Sequence, residues 1–295
     1  MPGRHPYASA AYAQALSGHG RPVEVAPWDG FVIARPIDGA GLEDAMGPYP
    51  RTPLPPRADL AGGLETLAAA GFVSVTLVPD PLAAPGEDAL RAVFDLCRPF
   101  KTHVLVDRAA GPYAPSKHHR ERIRRGRRRC RVELVSLGER LDDWRRLYAG
   151  LVARHAISGP ARFPDRYFET LARMPDMVAL AAFVDATLAA MTIWFEHDGV
   201  AVSHLTAAND LGYANGASFA LNDAAIEHFA AADVIDLGGS AGAGDDHADG
   251  LFQFKRGFGN AETRAFLCGT ALDPAGYKRL TARRCAGNYF PAYRG

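Results

Sequence analysis

VAVSHLTA (residues 200–207), ANDLGYANGAS (208–218), FALNDAAIEHFAAA (219–232) and VIDLG (234–238) follow one another in the second half of the chain. The first and last are apolar over strand length. The second is rich in turn formers, and the third repeats apolar residues at helical spacing. The order is therefore strand, glycine-bearing loop, helix, strand. A loop that opens a helix offers backbone N–H groups and the positive end of the helix dipole, which together seat a phosphate or a carbonyl oxygen. Gly212 and Gly216 supply the close approach such a seat needs.

Upstream, MVALAAFV (177–184) and TLAAMTIWFE (187–196) read as two further strands. Asp185-Ala186 and His197-Asp198-Gly199 are connections of hairpin length, so the three strands form an antiparallel meander. Leu141, Trp144, Leu147, Tyr148 and Leu151 place a core-facing helix over 141–157, and PDRYFETLARMP reads as another over 164–175. In the first half, helices over 8–17, 59–71 and 86–98 alternate with strands over 31–36, 72–78 and 102–107, around a proline-rich loop at 47–56. The expectation is an α/β (α+β) protein of two subdomains with mixed, largely antiparallel sheets. Their ranges are 1–136, including a basic helix at 116–129, and 137–295, meeting near 136–143.

That basic helix opens KHHRERIRRGRRRCR (117–131), with nine Lys/Arg, two His and one Glu in fifteen residues. The whole chain holds 33 basic and 33 acidic residues, so the positive charge is local. A nonspecific nucleic-acid coat would be basic throughout, whereas one basic strip on a neutral body docks something anionic or forms a solvated helix face. Ser116 is the expected N-cap and Ile123 the main apolar contact. Cys97, Cys130, Cys268 and Cys285 show no close pair, against a zinc site or a disulfide framework, and Cys130 reads as structural. The run DDHAD (245–249) lacks the ligand spacing of a calcium loop and reads as a mobile acidic loop, so no metal is expected. No apolar run approaches ~20 residues and the first residues lack the apolar stretch of a secretion signal, which makes the cytoplasm the expected compartment.

The order meander, loop, helix, strand resembles the core of the GNAT acyltransferase fold, in which the loop grips the pyrophosphate of the donor. The Arg/Gln-x-x-Gly-x-Gly/Ala pattern of typical acetyl-CoA binders is absent here. IDLGGS (235–240) and GLFQFKRGFGN (250–260), together with FKTHVLVD (100–107) and an Arg-rich helix of the R-x-x-I-R-R type, resemble the Fem family of aminoacyltransferases and its FemAB-like GNAT relatives. The likeness runs over roughly residues 102–266. It implies two GNAT-like subdomains, with an acceptor amine meeting an activated acyl group in the cleft between them. The family's Phe-Lys pair falls on Phe254 and Lys255, and the resemblance implies that Lys255 stabilises the charged carbonyl oxygen during transfer. The family's helical-arm insertion is missing. Gly126 stands where relatives more often have Ala, which weakens the basic helix by ~1 kcal/mol on propensity alone.

Forming an amide from an ester or thioester needs a neutral amine, a polarised carbonyl and a path for one proton, without a covalent enzyme intermediate. Lys255 and Asp236 are the candidate catalytic pair, Asp236 orienting the amine or pairing with Lys255. Phe254, His204, Asn209, Tyr213 and Ser240 are candidate substrate-binding residues. Arg120, Arg124, Arg125, Arg128, Gly212 and Gly216 are candidates for holding the donor. The leading expectation is aminoacyl transfer from charged tRNA to a small amine or peptide, with the tRNA as co-substrate and no other cofactor. A CoA-dependent N-acyltransferase is the alternative. A non-catalytic RNA-binding protein is the remaining class, and the strip lacks the interleaved aromatics that readers of single strands use.

Overall fold

The computed structural model describes residues 4–83, 85–242, 244–282 and 289–295. The elements, in chain order, begin with α1 (Ala10–Ala15), β1 (Arg21–Val25), β2 (Gly30–Ile37), β3 (Leu42–Met46), α2 (Leu60–Ala69), β4 (Ser74–Leu77) and α3 (Glu87–Val93). They continue with β5 (Leu96–Asp107), α4 (Lys117–Arg129), β6 (Arg131–Val135), α5 (Leu141–His155), α6 (Asp165–Leu171), β7 (Met177–Val184), β8 (Thr187–His197) and β9 (Val200–Ala208). The last are α7 (Asp210–Asn215), α8 (Ala217–His228), β10 (Val234–Gly238), α9 (Gly250–Arg256), β11 (Ala261–Ala271) and α10 (Pro274–Thr281).

The described residues group into two compact units, one holding 4–100 and the stretch from 264 onward, the other holding 101–263. The division differs from the expected one near residue 136. The chain crosses between units inside β5 and again inside β11, where no turn or linker composition marks a boundary in the sequence. The basic helix accordingly belongs to the second unit, where it packs on α8.

In the first unit β1, β2 and β3 are antiparallel neighbours, β3 runs parallel to β4, and residues 268–271 of β11 pair antiparallel with β4. Trp28, Leu67, Val75, Phe94 and Cys268 anchor its core. Gly63 lets α2 lie against the indole of Trp28, since a Cβ there would overlap the ring. The sequence reading missed β1 and β3 and extended the third helix into residues that begin β5.

In the second unit the meander is as expected: β7, β8 and β9 are antiparallel, with β6 beside β7. Asp198 and Gly199 both take positive φ (51° and 76°), the backbone that a two-residue hairpin turn requires. β10 lies between β9, to which it is parallel over 200–202 and 234–236, and β5, to which it is antiparallel. The loop expected before the long helix contains α7, a short helix capped by Asn209. Helices α4 and α8 cover a core that holds Val104, Val106, Ile123, Trp194, Ala220, Leu221, Ile235, Leu237, Phe252 and Phe258. The fold is α/β with mixed, largely antiparallel pairing.

α4 forms as read: the Ser116 hydroxyl accepts from the His119 amide at 3.2 Å, and His119, Ile123 and Gly126 make the single buried stripe. Gly126 is more than a weak helix former. A Cβ at this position would lie 2.7 Å from the carbonyl oxygen of Gly216 and 3.3 Å from the Cβ of Ala220, so the glycine sets how closely α4 meets the α7–α8 junction.

Candidate functional site

Strand alternation sends Ile235 and Leu237 into the core and Asp236 to the opposite side of β10. Asp236 is fully buried. Its carboxylate accepts the Gly238 amide at 2.7 Å and takes the ring of His103, on the neighbouring strand β5, with Nδ1 2.9 Å from Oδ2. Buried carboxylates are stable where charge-assisted hydrogen bonds of this kind surround them. The strand ends in two glycines for two separate reasons. Gly238 has φ +79°, and a Cβ on Gly239 would sit 2.8 Å from the Thr102 carbonyl. Lys255, on α9, reaches this same turn: its Nζ donates to the Gly239 carbonyl at 2.7 Å and lies 3.0 Å from where a Gly238 Cβ would be. A half-buried ammonium, an oriented imidazole and a buried carboxylate thus meet on one turn, 236–239.

The acidic run is tied to this corner. Asp245 accepts from both the amide and the hydroxyl of Thr102 at 2.8 Å. Burial pulls its carboxyl up, but the two Thr102 hydrogen bonds together with His247 outweigh that and hold it below the usual range. Asp249 caps α9 by accepting the Phe252 amide at 3.1 Å and also takes the Ala241 amide at 3.0 Å. Lys101 donates to the Ser240 carbonyl and hydroxyl, at 3.0 and 3.1 Å, and to the carbonyls of Ala241 and Gly244. Burial pushes the Lys101 ammonium below its ordinary value, partly offset by Asp245 and Asp249. The expected mobile acidic loop is instead pinned by named hydrogen bonds. Among the described residues no group of three or more His, Cys, Asp or Glu is arranged to hold a metal.

The other face of α9 lines an open pocket of about 540 Å³ with Gly250, Gln253, Phe254, Arg256 and Gly257, bordered by Phe219 of α8 and by Ser116, His118 and His119 at the start of α4. His119 joins the two helices. Its Nε2 donates to the Phe254 carbonyl at 2.8 Å and Nδ1 lies 3.1 Å from the Ser116 hydroxyl, contacts that a neutral ring protonated on Nε2 satisfies. The ring packs edge-on against Phe258 (4.8 Å between centroids) and Phe219 (5.2 Å). Burial pushes its pKa down, the Phe254 carbonyl opposes this, and neighbouring His118 adds to the lowering.

Beyond that first turn, Arg120, Arg122, Arg124, Arg125, Arg128 and Arg129 are exposed. Arg127 is exposed as well but is paired with Asp223 and Glu227 of α8. Arg122 and Arg125 border a notch of about 80 Å³ with Tyr213, Gly216 and Phe219. Burial raises the Cys130 thiol, against the opposing charge of Arg129, in keeping with a structural cysteine.

The remaining candidates are dispersed. His204, at an irregularity of β9, is held by the Tyr167 hydroxyl of α6 at 2.7 Å among Phe163 and Phe195. The Asn209 side chain is committed to structure: Oδ1 accepts the Gly212 amide at 3.0 Å and Nδ2 donates to the Leu188 carbonyl at 2.9 Å. A Cβ on Gly212 would lie 2.3 Å from the Ala189 carbonyl, so this glycine serves packing against β8. Gly216 has φ +73° and turns the chain from α7 into α8. Tyr213 is exposed, with the Arg154 guanidinium over its ring. Ser240 is buried in the Lys101 network, its hydroxyl donating to Gly244 at 3.0 Å. Sequence reasoning missed Lys101, His103 and His119. His119 was detectable, because 119, 123, 126 and 130 follow a helical stripe. His103 and Asp236 lie 133 positions apart and meet only through strand pairing.

Residues 117–256 match the acetyltransferase (GNAT) domain family, a span from the start of α4 to the end of α9. Among solved structures, FemX superposes with a TM-score of 0.64 at 11% identity, covering 93% of this chain and 95% of that one. The fold is shared with FemX. The C-terminal domain of a putative lysylphosphatidylglycerol synthetase from Agrobacterium fabrum gives 0.61 at 15% identity, covering 93% and 91%. L-PGS from Bacillus licheniformis gives 0.60 at 12%, covering 95% and 99%. No curated protein matches the sequence. The matched span holds Asp236 and Lys255 and begins after β5, the strand that carries Lys101 and His103. Among the described residues no helix is long and apolar enough to cross a membrane.

Proposed function

We propose that this acyltransferase takes an aminoacyl group from charged tRNA and joins it through an amide bond to a small amine or peptide acceptor, in the cytoplasm, with no further cofactor. The observation that carries this reading is the course of α4. Its first turn walls the cavity against the helix that bears Lys255, and its following turns hold seven exposed arginines, of which Arg127 is paired with α8. A phosphate backbone lying along the arginines would lead its acceptor end to α9, which carries Phe254 on its cavity face and Lys255 beside turn 236–239. Positive charge aligned in this way gives affinity that falls steeply with salt.

In this reading Lys255 meets the carbonyl oxygen as it becomes negative. A single preorganised donor of this type contributes about 3 kcal/mol to the transition state. The notch bordered by Arg122 and Arg125 at the start of α8 favours a second reading, because its size and charge suit the pyrophosphate of a CoA thioester.

The deciding assay offers mixed, radiolabelled charged tRNA or acetyl-CoA, with and without ribonuclease, to a panel of amines and short peptides. One structural neighbour is named as a lysylphosphatidylglycerol synthetase, so phosphatidylglycerol vesicles belong in the acceptor panel. Labelled product from charged tRNA that ribonuclease abolishes is the expected result. Product from acetyl-CoA that survives ribonuclease would replace the tRNA reading with the CoA one.

A further inference from the structure

We infer that His103, oriented by Asp236, takes the proton from the attacking amine during acyl transfer. The inference rests on the reading of turn 236–239 as the acyl-transfer site, and it applies to either donor.

Two observations carry it. Asp236 is completely buried, and its carboxylate bridges the Gly238 amide and the Nδ1 of His103. A carboxylate on Nδ1 makes that nitrogen the protonated one in a neutral ring, which leaves the lone pair on Nε2. The second is position: Gly238, which donates to Asp236, adjoins Gly239, whose carbonyl receives the Lys255 ammonium. The imidazole and the cation proposed for the oxyanion are therefore arranged around four consecutive residues.

The step balances without any further reactant. The amine nitrogen forms a bond to the acyl carbon, the carbonyl π electrons move to oxygen beside Lys255, and the N–H proton passes to Nε2 of His103. Collapse of the intermediate breaks the acyl carbon–oxygen bond of the ester, or the carbon–sulfur bond of a thioester. The departing oxygen or sulfur takes the proton back from the imidazolium. Asp236 remains ionised throughout and acts as a positioning residue.

The test has a structural and a kinetic arm. In the wild-type chain with 15N-labelled histidine, the His103 resonances, assigned by their loss in His103→Gln, should show the Nδ1–H tautomer, and Asp236→Asn should shift that pattern. For turnover, His103→Ala is compared with wild type using glycinamide as the acceptor probe and both charged tRNA and acetyl-CoA as donors. The expected loss is about 10²–10⁴-fold in kcat, relieved at least about tenfold by added imidazole. An Nε2–H tautomer, a loss smaller than about tenfold, or a loss that imidazole does not relieve overturns the proposal. Amide formed from acetyl-CoA alone refutes the tRNA donor while the His103 comparison is still read with that substrate. No amide from either donor in the wild type refutes both.

Discussion

The outer face of α4 and the turn at the end of β10 differ in almost every physical respect. The first is a row of exposed guanidinium groups on one continuous helix. The second is a buried carboxylate, a half-buried lysine and a histidine drawn from three elements. Charge on a surface helix tolerates imprecision, since long-range attraction in water is weak in detail and collective in effect. A buried polar corner tolerates little, because each group pays for desolvation unless its partner is in place. Substitutions should therefore act gradually on the helix and abruptly at the turn.

The largest effect is expected at the turn. Lys255→Met should lower kcat about 10²–10³-fold with little change in KM, as loss of a preorganised oxyanion donor does. A variant that keeps wild-type turnover while folded would break the contrast, leaving the turn as structure only. On the helix, reversal of Arg124, Arg125 and Arg128 to Glu should weaken tRNA binding by about 30-fold or more at low salt and flatten the salt slope by about one unit for each phosphate no longer neutralised. Transfer from the same amino acid esterified to a short acceptor-end fragment should persist, because that donor does not reach the strip. An unchanged salt slope would remove the strip from donor binding.

The two regions were also unequally legible. The helix was the more legible: its cap, the Ile123 contact and the exposed arginines follow from local spacing, whereas the role of His119 and the close approach at Gly126 depend on what α4 packs against. At the turn, IDLGGS and FKRG marked Asp236, the paired glycines and Lys255, but not what Asp236 binds. His103 is one histidine in an apolar strand, and its role arises only because β5 and β10 become neighbours. The same limit explains Asn209 and Gly212, whose types suited a binding loop equally well. The structure uses them to cap α7 and to pack it on β8. Local propensity also misjudged the unit boundary, since both crossings lie inside strands.

Gly126 separates local from tertiary effects within α4 itself. Propensity favours Ala in a helix by ~1 kcal/mol, yet a Cβ here would press on the backbone of Gly216. Gly126→Ala should destabilise the protein by about 1 kcal/mol net, as overpacking at a close approach does. Gly150 in α5 is the control: it is exposed and a Cβ there meets nothing within 4 Å, so Gly150→Ala should stabilise by about 0.5–1 kcal/mol. Denaturant unfolding of the two variants measures both signs. A stabilising Gly126→Ala would mean that α4 is less tightly seated on α8 than the 2.7 Å approach implies.

The smallest effect concerns His119, the link between the two regions. Burial lowers its pKa in the folded protein relative to the unfolded value near 6.5. As pH falls through about 6.5, the unfolded chain gains this proton first, so stability declines with acidity. The contribution is complete above about 6.5, is lost progressively as pH falls toward the folded pKa, and changes no further below it. Asp245 and Asp249, whose folded pKa values are lowered, would reduce stability only in a separate window, as pH falls through and below the ordinary carboxylate range near 3.8. The urea midpoint of the wild type should therefore drop between about pH 7.5 and 5.5. In His119→Gln, whose amide N–H still reaches toward the Phe254 carbonyl, that slope should flatten. The same slope in the variant, or a midpoint that rises with acidity in the wild type, would show that α4 and α9 are not joined through a neutral imidazole.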